Sequence, residues 1–421
     1  MGSKSWGIIK DPIHGYITVS ELEKNVIDTR VMQRLRRIRQ LAGSEFVYPG
    51  ANHTRFEHSL GVMHLAGVLA GRITSRAKGI QVLRLAGLLH DVGHGPFSHT
   101  FESLLARQGR NHEDLTTWLI QETELADILK DGGVNPKEMS LQAIGKRHQT
   151  KHPYFNQVIR SSIDVDKMDY IVRDSFHTGA EYGNVDIFRL LYTIEVFKGD
   201  LAVNVTALAA LESFLISRVL SFRSIYFHRS SRAVQIMIAD ALELADEELG
   251  LSTFKTPDEY LDMDDYAVWT HLKECTASRP LIERLERRDF LSCVYTVEAI
   301  VDKTPTLDLF TKDIVRKQFE AEIAAKAKVE PETVRIDSPL LPSLPYRHSS
   351  AMDPMEIPGF AYIRGTKVPV QISDVSRVIN SLKGYLDIVR VYTSSRPNKE
   401  IVGKAAQEVL GGSTYSAGIS M

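Results

Sequence analysis

The segment "HDVGHGPFSH", residues 90–99, places three histidines and one aspartate within ten positions. Imidazole and carboxylate groups are common ligands of divalent transition metals, and both can transfer protons at a reacting centre. Burying such groups beside an apolar helix costs free energy unless each one finds a partner. This density therefore indicates a metal site or acid–base chemistry. A metal at the adjacent His90 and Asp91 would need further ligands from elsewhere in the chain.

Two other segments offer such ligands. Residues 52–67, "NHTRFEHSLGVMHLAG", contain three histidines, and only His58 lies in an apolar helical pattern that predicts burial. Residues 161–174, "SSIDVDKMDYIVRD", contain aspartates at 164, 166, 169 and 174. Helical spacing puts one set of polar residues there on a common face: Asp166, Asp169, Tyr170 and Arg173.

The alternative is structural, because a buried histidine is often a hydrogen-bonded core residue and adjacent His-Asp pairs arise by chance. An apolar helix ending in His-Asp, a second buried histidine and a carboxylate-rich helix together favour a metal site. Spacing alone leaves both interpretations open.

The elements that carry these residues are predicted to be mainly helical from about residue 20 to 300. Residues 22–42 have apolar positions at helical spacing. Residues 81–93, "QVLRLAGLLHDVG", predict a buried helix that stops at Gly93. Residues 208–249 predict one or two long helices. Composition changes near residue 338, where a proline- and serine-rich connection precedes three strand-like segments and a helix. We therefore predict a mainly α fold, with a helical domain over 1–337 and a small α+β module over 338–421.

Length and composition limit the class of protein. The chain has 421 residues, 43% of them apolar, and a net charge of -2. A near-neutral chain with few basic-aromatic clusters argues against a nuclease or single-strand-binding protein. No apolar run reaches the roughly 18 residues of a membrane span, and no signal peptide is evident, so no membrane partner is expected. Two cysteines far from the histidines predict ordinary thiols and a cytoplasmic location.

The motifs resemble a known family. "DPIHGYI", "IDTRVMQRLRRIRQL", "YPGANHTRFEHSLGV", "HDVGHGPFSHTFE" and "IDVDKMDYIVRD", spread over roughly residues 10–230, resemble the HD-domain deoxynucleoside triphosphate triphosphohydrolases, which are related to the mammalian SAM-and-HD-domain enzyme. The resemblance implies a divalent metal bound by His58, His90, Asp91 and Asp166. Mixed nitrogen and oxygen ligands do not choose among iron, manganese, zinc and magnesium. It also implies hydrolysis at the α-phosphorus, releasing deoxynucleoside and inorganic triphosphate.

The same resemblance assigns proton-transfer and phosphate-contacting roles. His94 would contact phosphate, and His99 would act as general acid. Glu102 would orient His99, although the family usually has aspartate there. His112 matches a further catalytic histidine of the family.

The resemblance also implies a nucleotide pocket. Phosphate contacts are expected from Arg55, Lys167, Tyr170 and Arg218. Gln40 and Asp174 would contact the 3′-hydroxyl, Tyr226 would pack beside sugar and base, and Leu41 with Tyr170 would exclude a 2′-hydroxyl.

Regulation and assembly are a further implication. Asp28, Gln33 and Arg36 match positions that bind an activating guanine nucleotide at a subunit interface, and Arg229 keeps a positive charge where the family has lysine. Gly7 stands near the position of a family lysine, which weakens this match, and a solvated helix face is the alternative for these arginines. The family assembles as dimers or tetramers.

Two rival functions are weighed against this prediction. One is an HD phosphohydrolase acting on nucleoside monophosphates or a signalling nucleotide, and the other is a metal-dependent structural protein without turnover. The triphosphate-contacting set argues against the first, and the number of catalytic-type residues argues against the second.

Overall fold

The computed structural model describes residues 5–147, 152–301, 310, 312–342, 357–382 and 385–411. Helices dominate this part of the chain, which confirms the mainly α class. The helices, α1–α20 in order, are Glu21–Ile27, Arg30–Arg34, Arg55–Ile73, Ala77–Leu89, Glu102–Arg107, His112–Glu122, Glu124–Asp131, Pro136–Ala143, Tyr154–Ile159, Val165–Thr178, Ile187–Thr193, Leu208–Ser221, Arg229–Leu249, Pro257–Leu261, Asp265–Glu274, Arg279–Glu286, Asp313–Ala327, Ile372–Val375, Arg377–Ser381 and Lys399–Leu410. The strands, β1–β10, are Ser5–Asp11, Gly15–Ser20, Ile194–Phe197, Asp200–Asn204, Ser292–Val301, Val334–Asp337, Leu340–Pro342, Pro358–Ile363, Thr366–Gln371 and Tyr385–Thr393.

The helix α4 carries the His-Asp pair at its end. Its residues from Leu85 to Leu89 are fully buried, as the apolar composition predicts. The helix ends at Leu89 with His90 as the C-cap, so the prediction that Gly93 ends it is wrong. Gly93 serves close packing instead, because a Cβ there would lie 2.1 Å from the carbonyl oxygen of His112 on α6. The missing side chain thus brings His112 towards the His-Asp pair.

The long apolar segment 208–249 forms two helices, α12 and α13. A π-helical turn over Phe222–Tyr226 joins the end of α12 to the residues before α13. Such π-turns widen the helix by one residue and are frequent at functional sites. Arg218, before the turn, and Tyr226, its last residue, line the same cavity.

Three sheets accompany the helices. β1 and β2 form an antiparallel N-terminal hairpin. One four-stranded sheet has the order β3-β4-β8-β9, and the other pairs β10 with β5, β6 and β7. The strands predicted within residues 360–395 and the helix predicted over 398–411 are present as β8, β9, β10 and α20.

The buried apolar residues of the C-terminal region divide between two apolar clusters. Ile357, Ile372 and Ile379 belong to the main cluster of the helical core. A second cluster combines residues of β5 and α17 with residues of β10 and α20. The division of the chain at residue 337 stays a prediction, and most of the predicted 338–359 connection lies outside the described residues.

One helical stretch, Val205–Tyr226, has the length and mean hydropathy, 1.6, of a membrane span. The prediction that no apolar run reaches this length is wrong for this segment, which meets the criterion although it contains Glu212 and Arg218. Leu211 and Phe214 of the stretch are buried in the main apolar cluster. A core helix satisfies the same criterion, so this feature alone does not indicate a membrane span.

Candidate functional site

Three of the four predicted metal ligands converge from three helices. His58 on α3, His90 at the end of α4 and Asp166 on α10 each bring one donor atom to within 4.8 Å of the others. His58 Nε2 lies 3.1 Å from Asp166 Oδ1, and His90 Nε2 lies 3.7 Å from the same oxygen. These donors surround one point, as a tetrahedral or octahedral metal site requires.

The fourth predicted ligand, Asp91, borders this cluster without completing it. Its Oδ1 is 3.2 Å from His90 Nε2, and its Oδ2 is 3.8 Å from His58 Nε2. Oδ2 also accepts a hydrogen bond from Arg55. Burial opposes ionisation of Asp91, but the neighbouring His90, Arg55 and His94 outweigh it and hold its pKa well below the usual value. Asp91 is therefore an anion beside the cluster, able to turn one oxygen towards a metal.

The two histidines are oriented by hydrogen bonds at Nδ1. His90 Nδ1 lies 2.8 Å from the carbonyl oxygen of Gly87, and His58 Nδ1 lies 2.8 Å from Asp169 Oδ2. Both acceptors suit a proton on Nδ1, so in the neutral tautomer the lone pair is on Nε2, where a metal would displace any proton and bind. His90 Nε2 is buried and has no hydrogen-bond partner among the described residues. A metal ion fits this donor set.

The carboxylates around the two histidines favour positive charge at this point. Burial disfavours the charged form of His58, but its hydrogen bonds to Asp166 and Asp169 outweigh burial and raise its pKa to about 10. Burial likewise opposes ionisation of Asp166, and the hydrogen bond with His58 and the charge of the nearby His90 hold its pKa below the usual value. The cluster thus stabilises a cation at its centre.

The aspartates of residues 164–174 have different structural roles. Asp164 is the N-cap of α10, accepts from the Lys167 backbone N–H at 2.8 Å and pairs with Lys167 Nζ at 2.7 Å. Asp174, one turn from Tyr170, accepts from Tyr226 at 2.5 Å and pairs with His53 at 2.8 Å. Only Asp166 of this group enters the metal cluster.

The four predicted proton- and phosphate-handling residues form a second cluster next to the first. One donor atom from each of His94, His99, Glu102 and His112 lies within 4.8 Å of the others. Glu102 Oε1 is 3.0 Å from His99 Nδ1 and 2.6 Å from His112 Nδ1. The glutamate that departs from the family pattern therefore reaches His99.

His99 is the exposed member of this second cluster. Its side chain is 75% exposed, and its Nδ1 faces Glu102, so the opposite nitrogen, Nε2, is free to carry a proton. His94 is buried, its ring stacks on His112 at 4.1 Å, and its Nε2 lies 3.5 Å from Asp91 Oδ1. Burial first, then the charges of Arg55 and His112, lower the pKa of His94 well below its usual value. His94 is therefore neutral between the two clusters.

The turn between the clusters has a strained backbone. Phe97 and Ser98 both have positive φ, 56° and 54°, a region that non-glycine residues rarely adopt. Hydrogen bonds hold the turn: the Phe97 N–H donates to Asp265 at 2.7 Å, and Ser98 Oγ accepts from Arg55 Nε at 2.8 Å. Such strain persists where the surrounding structure over-determines it, commonly at functional sites.

A cavity of about 1140 Å³ begins at Asp166 and runs along α10 and α12. It brings all eight residues of the predicted nucleotide pocket to one surface: Gln40, Leu41, Arg55, Lys167, Tyr170, Asp174, Arg218 and Tyr226. His99 lies on the same wall. Gln40 Oε1 is buried without a hydrogen-bond partner among the described residues, so it is available to a ligand.

The residues predicted to bind an activating nucleotide lie in several separate places, unlike those of the substrate cavity. Gln33 Oε1 accepts from Arg36 Nε at 2.9 Å, and the Arg36 guanidinium lies 3.6 Å from the centre of the Phe56 ring. Asp28 lines a separate groove with the acidic residues 124 and 131. Arg229 begins α13, where its carbonyl oxygen accepts from Tyr392. The activator site stays a prediction.

Sequence reasoning missed the residues that support His58. Asp169 was placed on the correct face of α10 but given no role, although its spacing of three from Asp166 was a usable signal. His14, in "DPIHGYI", lies 2.6 Å from Asp169 Oδ1. No local pattern connects these two residues, which are 155 positions apart.

Comparison with known proteins identifies the class. Residues 55–174 match the HD domain family, and residues 185–414 match the family described as HD associated region. The chain therefore belongs to the HD-domain family of phosphohydrolases, which confirms the resemblance drawn from its motifs.

The chain is also similar to several named proteins. The chain is 32% identical over 337 residues to the deoxynucleoside triphosphate triphosphohydrolase SAMHD1 homolog of Dictyostelium discoideum, covering 74% of this chain and 65% of that protein. It is 31% identical to the SAMHD1 triphosphohydrolase of Gallus gallus, covering 67% and 55%, and 32% identical to an uncharacterized protein of Methanocaldococcus jannaschii, covering 69% and 59%. The chain thus spans about three fifths of the length of these relatives.

A solved structure matches nearly the whole chain. The crystal structure of a hypothetical protein from Aquifex aeolicus, 29% identical, aligns with a TM-score of 0.77 and covers 96% of this chain and 99% of that one. The fold, including the C-terminal strands, is therefore shared with that protein.

Proposed function

We propose that this protein uses a divalent metal to hydrolyse deoxynucleoside triphosphates at the α-phosphorus, releasing deoxynucleoside and inorganic triphosphate. One observation carries the proposal: a single cavity joins the metal-side carboxylate of Asp166 to the cationic Arg55, Lys167 and Arg218. Three cations along one wall suit a chain of phosphates, whose negative charges need partners in a site shielded from water. The relatives named as dNTP triphosphohydrolases support the same substrate class.

His58, His90, Asp91 and Asp166 would hold the metal. When bound, it polarises a phosphoryl oxygen and lowers the pKa of a water molecule. The chain's own contribution is to present two Nε2 lone pairs and two carboxylates to one point. The identity of the metal among iron, manganese, zinc and magnesium stays open in this proposal, because all accept such ligands.

His99 is proposed to protonate the leaving 5′-oxygen. Its Nδ1 faces Glu102 at 3.0 Å, so Nε2 can carry the transferred proton. Burial opposes ionisation of Glu102, but its hydrogen bonds to His112 and His99 outweigh burial and lower its pKa. An ionised Glu102 stabilises the imidazolium of His99 before transfer. His94 and His112 would contact the phosphates.

The sugar would lie between Leu41 and Tyr170, with Tyr226 beside the base. Tyr170 and Tyr226 meet edge to face at 6.0 Å, which fixes both rings. Tyr226 already donates to Asp174, so a 3′-hydroxyl would share that carboxylate. A 2′-hydroxyl would be buried against carbon without a partner, at a cost of about 1–3 kcal/mol.

A second candidate is hydrolysis of another nucleotide, such as a nucleoside monophosphate or a signalling nucleotide. The size of the cavity favours the larger signalling nucleotide of these two, because residues beyond Tyr226, among them Arg232 on α13 and Arg316 on α17, also line the cavity. A longer or larger nucleotide would extend into this part.

A substrate panel tests the proposal. Each dNTP, the dNTP mixture, the matching NTPs and nucleoside monophosphates are incubated with the metal-loaded protein, and nucleoside and triphosphate are quantified separately. We expect kcat/KM for dGTP to exceed that for GTP by about 5- to 150-fold, the factor that an unpaired buried hydroxyl implies. Equal turnover of GTP and dGTP would contradict the sugar pocket, and turnover of monophosphates alone would favour the second candidate.

Substitutions of two lysines serve as a matched control for the substrate panel. Lys167 lies on the metal side of the cavity, whereas Lys317, on α17, lines its far part. Lys167→Gln should lower dNTP turnover, and Lys317→Gln should leave it near the wild-type value. The reverse pattern would place the substrate in the far part of the cavity.

Activation by a guanine nucleotide and assembly into dimers or tetramers are proposed on the family resemblance alone, and a cytoplasmic location is proposed on the two ordinary cysteines. Measuring turnover with and without added GTP, and mass by light scattering, would test the first two.

A further inference from the structure

We propose that His14, at the tip of the N-terminal hairpin, is a positioning residue for the metal ligand His58 and acts through Asp169. The inference rests on the metal site of the proposed function. It gives the "DPIHGYI" motif a role, since none of its residues enters the metal cluster or the substrate cavity.

A continuous hydrogen-bond path joins the hairpin to the metal ligand. His14 Nε2 lies 2.6 Å from Asp169 Oδ1, and Asp169 Oδ2 lies 2.8 Å from His58 Nδ1. All three side chains are at most 1% exposed. One carboxylate therefore bridges two imidazoles where water does not compete for its lone pairs.

This bridge decides how His58 presents itself to a metal. A ligand histidine needs its proton on the nitrogen away from the metal, and a carboxylate at that nitrogen fixes both the tautomer and the ring plane. Asp169 does this for His58 only while its own orientation is held. His14 contacts the outer oxygen, Oδ1, and together with Arg173 restricts the rotation of the carboxylate.

Arg173 supplies the compensating charge and ties the path back to the hairpin. Its Nε donates to Asp169 Oδ2 at 2.8 Å and its Nη2 to Oδ1 at 3.0 Å. Its Nη1 donates to Asp11 Oδ2 at 2.9 Å. Asp11 Oδ1 in turn accepts from the backbone N–H groups of Ile13 and His14 at 2.9 and 2.8 Å. The tip of the hairpin is thus locked to α10 at two points.

His14 is the member of this network that can be replaced without breaking an aspartate–arginine ion pair. Removing it leaves the Asp169–Arg173 ion pair intact, so the fold should tolerate the change better than the metal site does. Loss of a hydrogen-bond partner behind a metal ligand typically costs about 10- to 100-fold in metal affinity.

The experiment measures Mn²⁺ affinity by competition with a chelator, together with the thermal midpoint of the metal-free protein. His14→Leu removes the donor, His14→Gln restores an N–H that can reach Asp169, and Ile17→Val is the control. Ile17 is fully buried in the same hairpin and belongs to the main apolar cluster, so its truncation loosens the hairpin without touching the path.

We expect His14→Leu to weaken Mn²⁺ binding by about 10- to 100-fold, His14→Gln to recover part of the loss, and Ile17→Val to bind like the wild type. In an Asp169→Asn background, His14→Leu should cause little further loss, because the bridge is already broken.

Several results would overturn the inference. Wild-type Mn²⁺ affinity in His14→Leu would do so and would leave the metal site standing. The same holds if His14→Leu loses as much affinity in the Asp169→Asn background as in the wild type, or if Ile17→Val loses as much affinity as His14→Leu. A wild-type protein that binds none of Mn²⁺, Fe²⁺, Zn²⁺ and Mg²⁺ would overturn both this inference and the metal-dependent function.

Discussion

Gly61, on α3 one turn from His58, allows the Asp169–Arg173 pair to pack against the helix. A Cβ at this position would lie 1.9 Å from Asp169 Oδ1 and 2.5 Å from Arg173 Nη2. Real Cβ contacts are essentially never shorter than 3.0 Å, so Gly61→Ala must displace the carboxylate by about 1 Å. The displaced oxygen is the one that His14 and Arg173 hold.

The expected free-energy change follows from these contacts. Overpacking a buried site costs about 1–3 kcal/mol, and weakening a hydrogen bond to a charged group costs about 1.5–3 kcal/mol more. Alanine gains about 0.5–1 kcal/mol over glycine inside a helix. The balance is a loss of about 1.5–5.5 kcal/mol in the free energy of unfolding, with a lower metal affinity because His58 loses its oriented partner.

Gly71 is the matched control, because it lies on the same helix and a Cβ there would meet nothing within 4 Å. Gly71→Ala should stabilise the protein by about 0.5–1 kcal/mol. Urea unfolding of both metal-free variants, followed by circular dichroism, and metal content after reconstitution are the measurements. The reasoning is refuted if the two substitutions shift the urea midpoint in the same direction.

Three further predictions concern catalysis, metal content and pH. His99→Ala should keep its metal but lose about 10²–10⁴-fold in kcat, and Glu102→Gln should lose less kcat. If His99→Ala kept more than half of the wild-type activity, His99 would be excluded as the general acid. His90→Ala should lose most of its metal by elemental analysis, because it removes an Nε2 donor that has no hydrogen-bond partner among the described residues. Wild-type metal content would contradict its assignment as a ligand. Burial raises the pKa of Asp265 to about 6, and it outweighs the hydrogen bonds from the backbone N–H groups of residues 39 and 97, which lower the pKa. Since the unfolded value is about 3.9, the associated stability is present below about pH 4 and is lost as pH rises through about 6. Relative to an Asp265→Asn variant, the wild type should therefore lose about 3 kcal/mol over this range, and parallel profiles would contradict the raised pKa.

The local sequence determined which segments form helices and which residues share one face of a helix. The apolar run before His90 predicts a buried helix whichever partners surround it, because its periodicity is a property of neighbouring residues. The spacing of three and four along α10 likewise puts Asp166, Asp169 and Arg173 on one face, because helical geometry alone fixes that relation. The strands of residues 360–395 were also evident from their composition. The family motifs added the expected ligand set, three of whose members lie together in one cluster.

Tertiary structure decided what each of these groups does. Asp164 caps a helix, Asp166 faces the histidines and Asp169 bridges His58 to His14, although the three are nearly equivalent in sequence. Only packing distinguishes them, since the orientation of a carboxylate depends on donors from α3, α4 and the hairpin, up to 155 positions away. The role of Gly93 in packing against His112 was hidden for the same reason: sequence periodicity describes one element at a time, whereas a site is made where several elements meet.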